Sequence, residues 1–283
     1  MQKLAADLIN CQQYPIAGHG PSRDRVVDEV RSALEESGCA VLKGFLTPAG
    51  VDAAVAEAEA VSDQGHRSYS RTNAYFTADD PDLLPNDPRR RFFDRSNAFI
   101  SADNFSSGGT LRTVFDSEGF DEFIRDCLQE PADRFFRYAD PLADVIVNAA
   151  SAGNGFPWHF DTNNYTVTLA LQNAERGGAF EYAPMIRDSQ NENFDDVAKV
   201  LDGTSDKVIS LQLDPGDLQL FKGRYSLHRV APLEGETPRY VAIFSYVEKP
   251  DMVGSVERTQ QLYGRTLPIH HERAGCRSDA LID

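Results

Sequence analysis

The chain is poor in the residues that build metal-thiolate sites, membrane spans and nucleic-acid contacts. Its 283 residues include one tryptophan, three methionines and four cysteines. The cysteines, Cys11, Cys39, Cys127 and Cys276, are scattered and show no C-x-x-C spacing. That argues against a zinc ribbon, a dithiol redox motif and a disulfide framework, and they read as reduced thiols. No apolar run approaches the roughly 18 residues of a membrane-crossing helix. Met1-Gln2-Lys3-Leu4 opens no charged region followed by an apolar one. A soluble, cytoplasmic protein without a leader is therefore expected. Basic residues are the minority, 28 Lys and Arg against 44 Asp and Glu, for a net charge of -16. A phosphate backbone is bound by neutralising it with Lys and Arg, so this balance excludes nucleic acid as a partner and disfavours anionic membrane surfaces. It leaves a small-molecule substrate open, because a pocket can differ in sign from the surface.

Hydrophobic residues make up 41% of the chain, with 17 Phe and 10 Tyr, enough for a packed core. The length accommodates one large β-rich domain or two ordinary ones. Residues 1–22 carry turn residues without periodicity and read as an arm laid over the body. The apolar spacing of Val26, Val27, Val30, Ala33 and Leu34 predicts a helix capped at Ser22 and closed by Gly38. A strand from Cys39 follows, then a second helix opened by Thr47-Pro48 and running to about Val61. Residues 62–110 mix Arg, Asp, Asn and Ser with aromatics and three prolines, which predicts long irregular segments over the mouth of a site. Arg71 and Asn73 there are candidates to hold a substrate carboxylate or amide, although a surface role is the commoner fate of an arginine. One or two helices are expected over 110–129. Beyond Trp158, short alternating strands separated by Gly and Pro turns, such as Thr166–Gln172 and Arg239–Val247, indicate an antiparallel sandwich or jelly roll.

His159 and Asp161 lie two residues apart, so on an extended strand they share a face. About one such His-x-acid pair is expected by chance in a chain this acidic. A second occurs at His270-His271-Glu272, in a charged tail that reads as solvated surface. The first pair gains standing from His228, 69 residues on, because Greek-key connections can make such strands neighbours. Two His and one carboxylate on a common face leave positions open for substrates, as in non-haem Fe(II) oxygenases. Arg239 begins a strand on which Val241, Ile243 and Ser245 share its face. It either points inward, where a buried guanidinium needs a carboxylate partner, or is an edge-of-strand surface residue; spacing alone weighs the two equally.

His159-Phe160-Asp161, Gly177-Gly178-Ala179-Phe180 with Pro184, Pro215-Gly216-Asp217, and His228 with Arg239 eleven residues later together resemble the Fe(II)/2-oxoglutarate-dependent dioxygenases over roughly residues 130–250. The resemblance implies an α+β, mainly β, double-stranded β-helix (a cupin-like jelly roll) with N-terminal helices packed outside. The expected organisation is a single catalytic domain: a helical and lid region at 1–130, the jelly-roll core at 131–250 and a C-terminal extension at 251–283. It further implies that His159, Asp161 and His228 ligate Fe(II), that Arg239 binds the distal carboxylate of 2-oxoglutarate, and that Thr168, Asn148 and Ser245 assist that cosubstrate, with O2 as the second cosubstrate. Trp158 and the 62–110 segment are expected in the pocket wall, and Asn163 and Asn164 in polar contact with substrate, each Asn having an equal claim as a turn residue.

Trp158–Asn163 and the closing strand look most like the group that hydroxylates or halogenates free amino acids. Its halogenating members carry Gly where this chain has Asp161, and that gap admits chloride. With Asp161 retained, hydroxylation of a free amino acid is the expected reaction. Desaturation, cyclisation, a carrier-tethered substrate and a non-catalytic cupin-like binder are the alternatives. The sequence leaves the oligomeric state open, a homodimer included.

Overall fold

The computed structural model describes residues 5–162 and 165–273. In chain order the strands of its two main sheets are β1 (Cys39–Leu42), β2 (His66–Thr72), β3 (Phe93–Ile100), β4 (Val145–Ala150), β5 (Phe156–His159), β6 (Thr166–Gln172), β7 (Phe180–Ala183), β8 (Ile209–Leu211), β9 (Leu218–Phe221), β10 (Leu227–Val230) and β11 (Arg239–Phe244). Seven form one sheet in the order β1-β9-β6-β11-β4-β3-β2, and four form the other in the order β8-β7-β10-β5. Each neighbouring pair is antiparallel. This is the expected mainly β jelly roll, with the major sheet covered on its outer face by α1 (Pro21–Ser37), α2 (Pro48–Ala60), α3 (Thr110–Phe115) and α4 (Phe120–Leu128).

Period-two alternation in the central strands separates the two faces. In β6, Val167, Leu169 and Leu171 join the helix-side core while Thr166 and Thr168 face a cavity between the sheets. In β4, Val145 and Val147 face the helices and Ile146 and Asn148 the cavity. In β11, Tyr240, Ala242 and Phe244 pack outward and Arg239, Val241 and Ile243 inward. Arg239, Thr168 and Asn148, later assigned to the cosubstrate, therefore stand on the inner face of strands whose outer face is anchored in the main core, and Ser245 directly follows β11.

The helices end where local chemistry dictates. Thr47 caps α2 by accepting from Gly50 N at 3.0 Å. Gly38 closes α1 with φ 67°, the left-handed conformation favoured by glycine. The start of α1 differs from expectation: Pro21 is in its first turn, Gly20 holds the cap position and no side chain caps it, so Ser22 lies inside the helix. The N-terminal arm is docked, through one helical turn (Ala5–Leu8), a bridge from Ile9 to Leu46 and the buried side chains of Leu8, Ile9, Tyr14 and Ile16.

Residues 62–110 are more regular than their composition suggests. β2 and β3 pair over seven residues, from His66 opposite Phe99 to Thr72 opposite Phe93, and extend the major sheet beside β4. β2 lies at the sheet edge and alternates between half-buried and exposed positions, which is why its Arg and Ser content resembled a loop. The C-terminal region adds α6 (Val256–Tyr263) and α7 (Pro268–Glu272), following α5 (Phe194–Leu201). Leu262 and Tyr263 of α6 pack with Phe99 and Ile146. The tail histidine expected on the surface is instead fully buried: His270 Nε2 lies 3.0 Å from Asp140 Oδ2. Only His271 and Glu272 of that motif are exposed. Cys11, Cys39 and Cys127 are free thiols, and Cys276 lies outside the described residues. Among the described residues no helix is long and apolar enough to cross a membrane.

Candidate metal centre

β5 and β10 are neighbours, and their register sets His159 directly opposite His228. Both side chains are buried, with ring centroids 4.2 Å apart. Each ring is oriented the same way. His159 Nδ1 lies 2.8 Å from the Pro157 carbonyl and His228 Nδ1 3.0 Å from the Ser226 carbonyl. A carbonyl only accepts, so both Nδ1 atoms carry the proton and both Nε2 lone pairs are free to bind a cation. Asp161 follows β5, its backbone N–H donating to the Gly223 carbonyl at 3.1 Å. Its Oδ1 lies 3.8 Å from His159 Nε2 and 3.4 Å from His228 Nε2.

The three donor atoms lie within 4.8 Å of one another. Their protonation suits a metal. Burial holds the His159 imidazole well below its ordinary pKa, reinforced by His228 and Arg95, so the ring is neutral. Burial alone raises the Asp161 carboxyl, but His228, His159 and the hydroxyl of Thr166 outweigh it and keep the group ionised, below the usual carboxylate range. Two imidazoles and one carboxylate on a single face, with the rest of the surroundings open to a cavity, is the donor set of a non-haem Fe(II) site.

Two residues to which the sequence assigned no site role lock Asp161. Thr166 Oγ1 donates to Oδ2, leaving Oδ1 turned to the histidines. Gly223 provides the space: a Cβ there would stand 1.9 Å from Asp161 Oδ2 and 3.0 Å from Thr166 Oγ1. Gly223→Ala must therefore displace the carboxylate or the hydroxyl while the fold stays intact. Metal affinity measured by competition with a chelator is expected to fall by roughly 10–100-fold, the usual cost of disturbing a ligand's outer partner; unchanged affinity would show that the carboxylate orientation is not needed. The alternation of β6 already grouped Thr166 with Thr168, so that residue had a sequence signal. Gly223 had none.

The cavity beside the triad has a volume of about 240 Å³. Arg239, Thr168, Asn148 and Ser245 all line it. Arg239 is 7% exposed and meets no carboxylate or hydrogen-bond acceptor among the described residues. Burial alone lowers its pKa to about 10, so the guanidinium stays charged at neutral pH. Gly178 packs beside it: a Cβ there would meet the Leu233 side chain at 2.5 Å and reach Arg239 Cδ at 3.4 Å, an ordinary contact. Thr168 Oγ1 donates to Gln219 Oε1 at 3.0 Å, and Asn148 Nδ2 to the Ala98 carbonyl at 3.2 Å.

Other expected site residues lie elsewhere. Trp158 adjoins His159 on a strand and so points to the opposite face, into the cluster of Phe160, Ala183 and Leu227, with the Arg229 guanidinium 4.7 Å from its ring. It does not line the cavity. Arg71 is exposed on β2 and also stands outside it. Asn73 is buried but spent on its own loop: Nδ2 donates to Thr77 Oγ1 at 2.8 Å, and Oδ1 accepts from Tyr75 N at 3.0 Å. That turn presents Phe76, which holds φ 59° and stands 5.7 Å from the His159 ring. Left-handed backbone is costly for an aromatic residue and persists where its surroundings over-determine it. Asn163 and Asn164 lie outside the described residues.

The chain matches the family model described as Halogenase D over residues 22–264. No curated protein matches it in sequence. Similar solved structures include a prolyl hydroxylase from Trichoplax adhaerens in complex with a hypoxia inducible factor peptide fragment, 16% identical over 80% of this chain and 91% of that one, with a TM-score of 0.51. The epimerase SnoN in complex with Fe3+, alpha ketoglutarate and nogalamycin RO is 13% identical over 80% and 84%, at 0.53. HygX from Streptomyces hygroscopicus with nickel, 2-oxoglutarate and hygromycin B bound is 11% identical over 78% and 86%, at 0.50. At these identities the likeness is one of fold.

Proposed function

The chain belongs to the Halogenase D family of enzymes, and from that premise we propose that it is an Fe(II)- and 2-oxoglutarate-dependent dioxygenase that hydroxylates a C–H bond of a free amino acid rather than halogenating it. The metal and cosubstrate assignment is supported by the oriented donor set, by the unpaired Arg239, and by the fold shared with SnoN and HygX, which were solved with such ligands. A cavity of about 240 Å³ is on the scale of small molecules.

When bound, Fe(II) and 2-oxoglutarate supply the oxidising power, drawing on O2 as the cosubstrate loses CO2 to become succinate and one oxygen atom enters the substrate. The chain's part is binding, orientation and exclusion of water. His159, His228 and Asp161 hold the ion, their rings fixed by the Pro157 and Ser226 carbonyls. Arg239 would anchor the distal carboxylate of 2-oxoglutarate with two parallel donors, near Ser245, Thr168 and Asn148 on the same inner face. Phe156 and Phe221, 5.0 and 4.9 Å from the two imidazoles, close the flanks against solvent.

One observation carries hydroxylation over halogenation: the Asp161 carboxylate is present, faces both Nε2 atoms and is held by Thr166. A halide would need the position this carboxylate fills. Purified protein supplied with Fe(II), 2-oxoglutarate, O2 and chloride is expected to add one oxygen atom to at least one member of an amino-acid panel, with matching succinate and no chlorinated product by mass spectrometry. A chlorinated product, or no amino acid that stimulates oxygen-dependent succinate formation, would overturn the reading.

A further inference from the structure

Two guanidiniums beyond Arg239 enter the cavity, and neither the metal centre nor the cosubstrate uses them. Arg95 comes from β3, where Arg95, Asn97 and Phe99 alternate inward. Arg258 comes from the first turn of α6, which also brings Leu262 and Tyr263 to the cavity wall. Arg95 is 5% exposed. Its guanidinium stands 4.3 Å from the Phe156 ring and 5.3 Å from Phe76, and Arg258 stands 4.5 Å from Phe76. Both arginines thus flank a single aromatic ring that packs on His159. Arg95 Nη1 is buried without a hydrogen-bond partner, and Arg258 Nη1 donates only to the neutral amide of Gln261 at 2.9 Å.

Among the described residues no carboxylate is paired with either guanidinium. The acid that acts favourably on both is Asp161, already committed to the metal. Asp140 lines the same cavity, but its oxygens accept from the Leu142 and Gly254 amides and face His270. Three guanidiniums and a divalent ion, set against the carboxylates of Asp161 and Asp140 and the two carboxylates of 2-oxoglutarate, leave one positive charge in excess. Like charges held side by side out of water repel, and buried charge requires a partner. The missing partner has to arrive with the substrate.

We propose that Arg95 and Arg258 form an anion clamp beside the metal centre, and that the substrate is an amino acid carrying a second carboxylate, of the aspartate or glutamate class. A dicarboxylic amino acid brings two carboxylates to two guanidiniums and one net negative charge. A neutral amino acid leaves the excess untouched, and a basic one adds to it. Phe76, at φ 59° beside the Asn73 turn, puts one ring within reach of both guanidiniums. The inference rests on the amino-acid dioxygenase reading and narrows its substrate.

Calorimetric titration tests it in the full chain loaded with Ni(II) and saturating 2-oxoglutarate, where no turnover intervenes. L-Aspartate or L-glutamate is expected to bind about 10–100-fold more tightly than L-glutamine, the range for a charge-assisted contact, and L-lysine more weakly still. Arg95→Met and Arg258→Met should each pull the glutamate-to-glutamine ratio toward one, with Arg95→Lys restoring part of it, while 2-oxoglutarate binding, titrated separately, is retained. Glutamine or lysine binding as well as glutamate, no binding of either dicarboxylic amino acid, or a ratio unmoved by both Met variants overturns the clamp. Failure of 2-oxoglutarate itself to bind would instead bring down the dioxygenase reading, and this inference with it.

Discussion

Asp161→Ala and His228→Ala each leave a folded protein that retains little metal after dialysis and turns over more than about 100-fold slower, a loss beyond the 10–100-fold expected for an outer partner. The reason is geometric. His159 and His228 come from paired strands and stay in place whether or not Asp161 is present, so removing the carboxylate takes away one donor and, among the described residues, the only negative charge facing both Nε2 atoms. Asp161→Gly carries the argument further, because it vacates the position a halide would need. Its thermal stability with Fe(II) and 2-oxoglutarate is expected to rise with chloride concentration, whereas that of the parent chain is not. His270→Ala serves as the control: His270 is buried against Asp140 and does not line the cavity, and its loss should lower stability without releasing metal. Stoichiometric metal and near-normal turnover in Asp161→Ala would sink the assignment, as would loss of metal from His270→Ala but not His228→Ala.

The site was legible where it follows strand alternation and obscure where it depends on tertiary neighbours. His159 and Asp161, Thr168, and the run Arg239, Val241, Ile243 and Ser245 were grouped by period two, and each group faces the cavity. The same rule places Trp158 on the opposite face from His159, so its expected role in the wall was inconsistent with the pattern that located the metal motif. The β2–β3 hairpin was hidden because β2 is an edge strand with one wet face, and its Ser and Arg residues carry no apolar alternation. Arg95 was lost with that hairpin. Arg258 and His270 had no local signal: one reaches the cavity on a C-terminal helix, the other is buried because Asp140, 130 residues earlier, stands opposite it. The jelly roll itself was readable, since regular turn chemistry and short strands leave few ways to bury both sheet faces.

Arg239→Met separates the cost of a buried charge from its use. In the ligand-free protein Arg239 keeps its charge in a buried site with no acid to meet it among the described residues, and its pKa of about 10 lies below the ordinary arginine range because of burial alone. At neutral pH the folded state bears that penalty in full, about 3 kcal/mol at 1.36 kcal/mol per pKa unit, and relief would begin only as the pH rises through 10. Methionine removes the charge and keeps much of the volume, so the variant without ligand should melt no lower than the parent. Binding shows the opposite effect. Truncating one partner of a desolvated charge pair costs about 2–5 kcal/mol, so the Kd for 2-oxoglutarate should rise at least about 30-fold and the stabilisation by millimolar cosubstrate should shrink accordingly. Metal affinity should be unchanged, because no triad atom touches Arg239. Lysine restores the charge but not the planar pair of donors, and should recover only part of the affinity. A variant that melts several degrees lower without ligand, or binds 2-oxoglutarate as the parent does, would mean that Arg239 is a structural residue and that the distal carboxylate is held elsewhere.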